Sequence, residues 1–270
     1  MLSKLELQSN LKPVIINKIL RRIIQILIFF LQCTFVFLVL CAIVLLLATR
    51  SPLHLIYNRI DPAGPGSVYV QGGGFAGFWF QLGLLQAMPS LDKFDFYCYS
   101  SGCLSLLVTF LDINLEEAFR SAYHAQTLWR AGEISLYQIV EYFLDEVLRE
   151  VAEVEPMFLK QMNILITTSE EGSIALQAST VYDLKNLLLK TVYIPYITGP
   201  TIFPPNGTMY ADGGFSIMLH PECEYTITVP TNLQTLIHLF NPSFGLKQAE
   251  HFWNLGQGSD HPLLVLNNTF

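Results

Sequence analysis

The sequence predicts an α/β fold with a mainly parallel central sheet, preceded by one transmembrane helix. Two observations carry the sheet. Strand, glycine loop, helix, strand, serine turn and helix follow in that order from Ser67 to Leu111. Amphipathic helices then come before a β-hairpin, the arrangement that covers and extends a sheet. A third observation carries the membrane helix: Ile23 to Ala48 runs without a charged residue.

Residues 1–22 form a basic segment, with Lys4, Lys12, Lys18, Arg21 and Arg22 against Glu6. The apolar block 23–48 would span about 39 Å as a helix, enough to cross a bilayer with some tilt. A cleaved signal peptide would need only about half that length, so an uncleaved signal anchor is expected. Five basic residues lie before the block, and Arg50 and Arg59 follow it. The positive-inside rule then places the N-terminus in the cytosol and the main domain across an endomembrane or the plasma membrane. Two sequons, Asn206-Gly207-Thr208 and Asn267-Asn268-Thr269, agree with that side. Residues 49–66 are a linker rich in proline and glycine. The catalytic domain is expected over 67–270.

Within that domain Ser67–Gln71 alternates as a strand, and Gly72-Gly73-Gly74 stops it. Phe78–Met88 reads as an apolar helix and Phe94–Cys98 as a short buried strand. A helix over Gly102–Leu111 follows. Leu115–Arg130 and Ile134–Val154 carry apolar residues three and four apart, the mark of amphipathic helices. Met162–Thr168 and Ser173–Ala178 form a hairpin turning at Glu171-Gly172. A short helix over Val181–Lys190, a Pro-rich loop to Asn206, a strand over Tyr225–Val229 and a helix near Lys247–Leu255 complete the chain.

Composition excludes several functions. A net charge of -7, with no cluster of Lys or Arg beyond the N-terminus, argues against nucleic-acid binding. Five cysteines in 270 residues do not make a disulfide framework. His220 and Cys223 lie close but lack two further ligands, so no metal site and no cofactor is expected. The glycine run lacks the Gly-Lys-Ser/Thr of a phosphate loop, and Asp92 and Asp95 stand wrongly for a dinucleotide fingerprint.

Three motifs carry chemistry. Gly72-Gly73-Gly74-Phe75-Ala76-Gly77 joins a strand to a helix, where bare amides can receive a ligand oxygen. Cys98-Tyr99-Ser100-Ser101-Gly102 pinches a serine between strand and helix, as a nucleophile elbow does. Asp212-Gly213-Gly214 can turn a carboxylate back towards that serine. Each motif also has a plain structural use, as a helix cap or a turn.

Together, in this order, they resemble the patatin-like phospholipase family over about residues 67–260. The resemblance implies a three-layer α/β sandwich and acyl-ester hydrolysis by a Ser–Asp dyad, without metal. It makes Ser100 the nucleophile and Asp212 the base. The oxyanion hole falls to Gly72, Gly73, Gly74 and Gly77, with Gly102, Gly213 and Gly214 shaping the turns. The implied substrate is a membrane glycerolipid, which the bilayer contact through 23–48 would bring close. Cys98 replaces the first glycine of the serine motif, and Ala76 stands where the family often has a basic residue. Two rival readings remain. One is a Ser–His–Asp esterase using His220, His238, His251 or His261. The other is an inactive membrane protein that binds lipid.

Overall fold

The computed structural model describes residues 65–258, except 89, 150–155, 169–171, 196, 200–209, 217–220, 222, 231–236 and 240. The basic segment, the anchor at 23–48, all of the linker before 65, both sequons, His220 and His261 lie outside the described residues. Among the described residues no helix is long and apolar enough to cross a membrane. The chain divides into two units, Met1–Leu55 and Ile56–Phe270, and the described residues all belong to the second.

That unit is α/β. Its strands are β1 (Ser67–Val70), β2 (Asp95–Cys98), β3 (Met162–Thr168), β4 (Gly172–Leu176), β5 (Tyr210–Asp212) and β6 (Tyr225–Ile227). They form a mixed six-stranded sheet in the order β4-β3-β2-β1-β6, with β5 paired to β3. The β1–β2, β1–β6 and β2–β3 ladders are parallel, and β3 pairs antiparallel with both β4 and β5. β5 is a strand that three residues could not announce by periodicity.

The α-helices are α1 (Gly74–Ala87), α2 (Ser101–Phe110), α3 (Leu115–Ala131), α4 (Ile139–Leu148), α5 (Pro156–Gln161), α6 (Val181–Thr191) and α7 (Leu246–Gly258). α1 is buried continuously from Ala76 to Leu85, as a helix apolar on every side must be. It packs against α2 and α7. Gly83 and Gly256 let the backbones of α1 and α7 meet, since a Cβ on either would strike the other helix's main chain. Leu82, Leu85, Leu106 and Leu107 are fully buried in this packing, and each such side chain stabilises the fold by about 1.5–3 kcal/mol.

Two expected helices start two or more residues away from where the sequence placed them. α1 begins four residues early, inside the glycine run. Gly74 adopts φ +59 beneath the Leu239 carbonyl, which receives the Phe75 amide at 3.0 Å. The helix expected from Ile134 begins instead with a 3₁₀ turn, Leu136–Gln138, before α4. The Gln138 side chain accepts the Ser135 amide at 2.9 Å and fixes the start there.

Candidate active site

Ser100 stands between the end of β2 and the first turn of α2, with φ 53 and ψ -134. A non-glycine residue held there stores about 1–3 kcal/mol of strain. Its surroundings hold it. The Ser100 amide donates to Thr191 Oγ1 at 3.0 Å, and that hydroxyl donates to the Leu165 carbonyl at 2.6 Å. Thr191 is fully buried at the end of α6. Gly102 lies against β1: a Cβ there would stand 2.7 Å from the Val70 carbonyl oxygen. The elbow therefore needs glycine at 102, as the motif requires.

The first position of the motif is solved differently. Cys98 is bonded to Cys103, closing a ring around Tyr99, Ser100, Ser101 and Gly102. Both cysteines are fully buried. The only sequence signal for this bond was two cysteines five apart on either side of a tight turn. Cys223 is buried and forms no disulfide among the described residues, and burial pushes its pKa up to about 12, which keeps it protonated.

Asp212 reaches the elbow through β3. Cys98 pairs with Ile164 and Asp212 with Ile166, while β4 occupies the other side of β3. β2 and β5 thus share one lane and meet end to end, about 6–7 Å apart along β3. The Asp212 amide donates to the Tyr193 carbonyl at 2.8 Å, and Thr167 Oγ1 donates to the Asp212 carbonyl at 3.0 Å. On the side chain, Oδ1 accepts the Gly214 amide at 2.8 Å. Oδ2 is buried and makes no well-formed hydrogen bond. Burial raises the carboxyl pKa from 3.8 to about 6, against the opposing pull of the Ser100 hydroxyl and the Gly214 amide. Serine and carboxylate therefore interact without a closed hydrogen bond between them.

Tyr99 separates the two glycine motifs. A Cβ at Gly72 would stand 2.6 Å from its ring, one at Gly213 2.5 Å from its Cβ and one at Gly214 2.9 Å from its ring. Its phenol interacts with the Gly72 amide and with the Tyr69 hydroxyl. The Gly73 amide donates to Ser101 Oγ at 2.8 Å, and Ser101 Oγ donates on to Gln81 Oε1 at 3.4 Å. The fully buried Gln81 returns its amide to the Gln71 carbonyl. The amides of Gly72 and Gly73 therefore have partners already, and Gly77 donates within the turn to Gly73 at 2.9 Å. Gly74 and Ser101 open α1 and α2, so their amides have no intrahelical acceptor. Tyr99, Ser101, Gln81 and Thr191 are the positioning residues that motif reading passed over.

Several of these groups border one cavity of about 220 Å³. Gly72, Gly73, Gly74, Ser100, Ser101 and Asp212 lie along its polar edge; Gly77 does not line it. The rest of the lining is mainly apolar and includes Phe78, Trp79, Leu104, Val140, Phe143 and Phe244. Neither described candidate histidine lines the cavity. His238 packs its ring on Phe244 and Phe252, at 5.2 and 6.2 Å between centroids. His251 is exposed on α7.

Comparison with protein-family models, curated proteins and solved structures finds no match. The geometry itself therefore carries the functional argument. It offers a strained serine, a buried carboxyl of raised pKa, two helix N-termini and an apolar chamber. That set suits attack on a neutral carbonyl attached to a hydrocarbon chain.

Proposed function

We propose that the chain is a serine hydrolase that cleaves carboxylic esters of membrane glycerolipids through a Ser100–Asp212 dyad, a member of the patatin-like kind with its three-layer sandwich. One observation supports this most: Ser100, held at positive φ, and the unpartnered Oδ2 of Asp212 border the same apolar cavity.

The acyl chain occupies the apolar wall and brings its ester carbonyl to Ser100. Asp212 takes the hydroxyl proton as Oγ attacks the carbonyl carbon. Negative charge grows on the carbonyl oxygen, where the amides of Gly74 and Ser101 and the dipoles of α1 and α2 favour it. The ester C–O bond breaks, and the alcohol leaves with the proton from Asp212. Water then attacks the acyl-serine; Asp212 accepts its proton and Ser100 recovers one as the fatty acid departs. One ester and one water give one acid and one alcohol. Residues 23–48, as a membrane anchor, would hold this site beside its lipid substrate.

The test uses the full-length chain in detergent. A fluorophosphonate probe is expected to label the wild type but not Ser100→Ala, and fatty acid release from glycerolipid micelles is expected to stop in the same variant. Labelling that survives Ser100→Ala would remove Ser100 as the nucleophile. No labelling and no release would leave the lipid-binding reading in its place.

A further inference from the structure

The cavity carries charge of one sign only. Among its described lining residues no Lys, Arg or His occurs, and the single carboxylate is Asp212. The neighbouring chain offers no remedy. Between Lys190 and Lys247 there is no Lys or Arg, and between Arg59 and Arg120 there is only Lys93. Lys93 precedes β2, at the opposite end of that strand from Ser100. His238 is turned into an aromatic cluster. Of the cations outside the lining, Arg130 donates to Oε1 of the lining residue Gln126 at 3.3 Å, and Lys190 lies over the ring of Tyr210, 5.5 Å from its centroid. Arg130 is itself exposed, so water screens its charge from the interior.

We infer that the cavity accepts uncharged lipid esters, with an acylglycerol as the substrate class, and rejects esters whose alcohol carries a phosphate. The inference rests on the hydrolase reading and narrows it. A phosphate drawn in beside the scissile ester would lose its water without meeting a cation, and an unpaired buried charge is costly. It would also lie near the Asp212 carboxylate, which must be ionised to act as a base. Burial already raises that carboxyl to about 6, and a second anion would raise it further and remove the base. The amides of Gly74 and Ser101 do not rescue a phosphate. They are committed to the oxyanion of the reaction, a single charge that exists only after attack. A neutral glycerol hydroxyl asks for none of this; the lining includes the uncharged polar side chain of Gln126.

The experiment compares two substrates that differ in one group. Monooleoylglycerol and oleoyl lysophosphatidate have the same acyl chain and ester, but only the second bears a phosphate. Full-length protein in mixed micelles is expected to give kcat/KM at least about a hundredfold higher on the monoacylglycerol. Ile197→Arg places a cation in the lining and is expected to narrow that ratio about tenfold or more. Fluorophosphonate labelling of Ser100 is measured in parallel on both proteins. Labelling with equal rates on the two lipids, or faster cleavage of the phosphate ester, overturns the inference and leaves the hydrolase reading standing. A ratio unchanged in an Ile197→Arg protein that labels normally overturns charge as its cause. Absence of Ser100 labelling in the wild type overturns both.

Discussion

The two walls of the cavity are built on different rules. Along the polar edge nearly every group has an assigned partner: Gly72 with Tyr99, Gly73 with Ser101, Ser100 with Thr191, Gly214 with Asp212. Asp212 Oδ2, which has no partner, and the leading amides of α1 and α2, which have no intrahelical acceptor, are the groups the proposed chemistry uses. The apolar wall has no such pairing. Phe78 meets Phe143 and Trp79 edge to face at 5.5 and 4.8 Å, and Phe244 packs on His238 and Phe252. One wall is a positioning device with little tolerance, and the other is a selecting surface that can be recut. Variants on the first should therefore act on kcat, and variants on the second on KM.

The sharpest break is Asp212→Asn. Loss of the base is expected to lower kcat by about a thousandfold or more. The same change should stabilise the fold. The folded carboxyl titrates near 6 rather than 3.8, so the folded state favours the proton. That benefit is complete below about pH 4 and is lost as pH rises through 6. Asp212→Asn is then expected to be about 2–3 kcal/mol more stable than wild type at pH 7.5. The difference should vanish below pH 4 in denaturant titrations. In the wild type kcat/KM should rise with pH through a limb near 6, as the base ionises.

Thr191→Val tests the same wall at a distance from the reacting atoms. It removes the acceptor of the Ser100 amide and leaves that N–H buried, at a cost of about 1–3 kcal/mol. kcat should fall about ten- to hundredfold with KM little changed, and Thr191→Ser should restore most of it. A fall in KM alone would show that Thr191 does not govern the serine. Val140→Ala tests the other wall. Trimming two methyl groups should cost about 2 kcal/mol of stability. It should shift acyl-chain preference less than tenfold, through KM.

Much of the fold was legible because its signals are local. The glycine run after β1, the serine turn after β2 and the apolar periodicity of α3 each lie within a short window. The elements that were hidden depend on contacts made elsewhere. β5 is three residues whose strand character comes only from β3. α1 begins at Gly74 because Leu239, far along the chain, receives the next amide. For the site, Ser100 and Asp212 could be named from motifs, and both border the cavity. The partners of the glycine amides could not. That Tyr99 takes the Gly72 amide and Ser101 the Gly73 amide follows from side-chain packing across the turn. No spacing rule encodes it. Cys98, which looked like a departure from the serine motif, is half of a bond that spans it.

The end-to-end meeting of β2 and β5 on β3 bears on biosynthesis. Ser100 and the two cysteines bonded around it are translated long before Tyr210 leaves the ribosome. Until β5 arrives, the lane beyond Cys98 stands empty and the hydroxyl has no carboxylate beside it. On the proposed chemistry, a nascent chain emerging next to a bilayer is harmless to that bilayer. Reactivity comes only with completion of the polypeptide, and a chain truncated by premature termination before 210 would be inert.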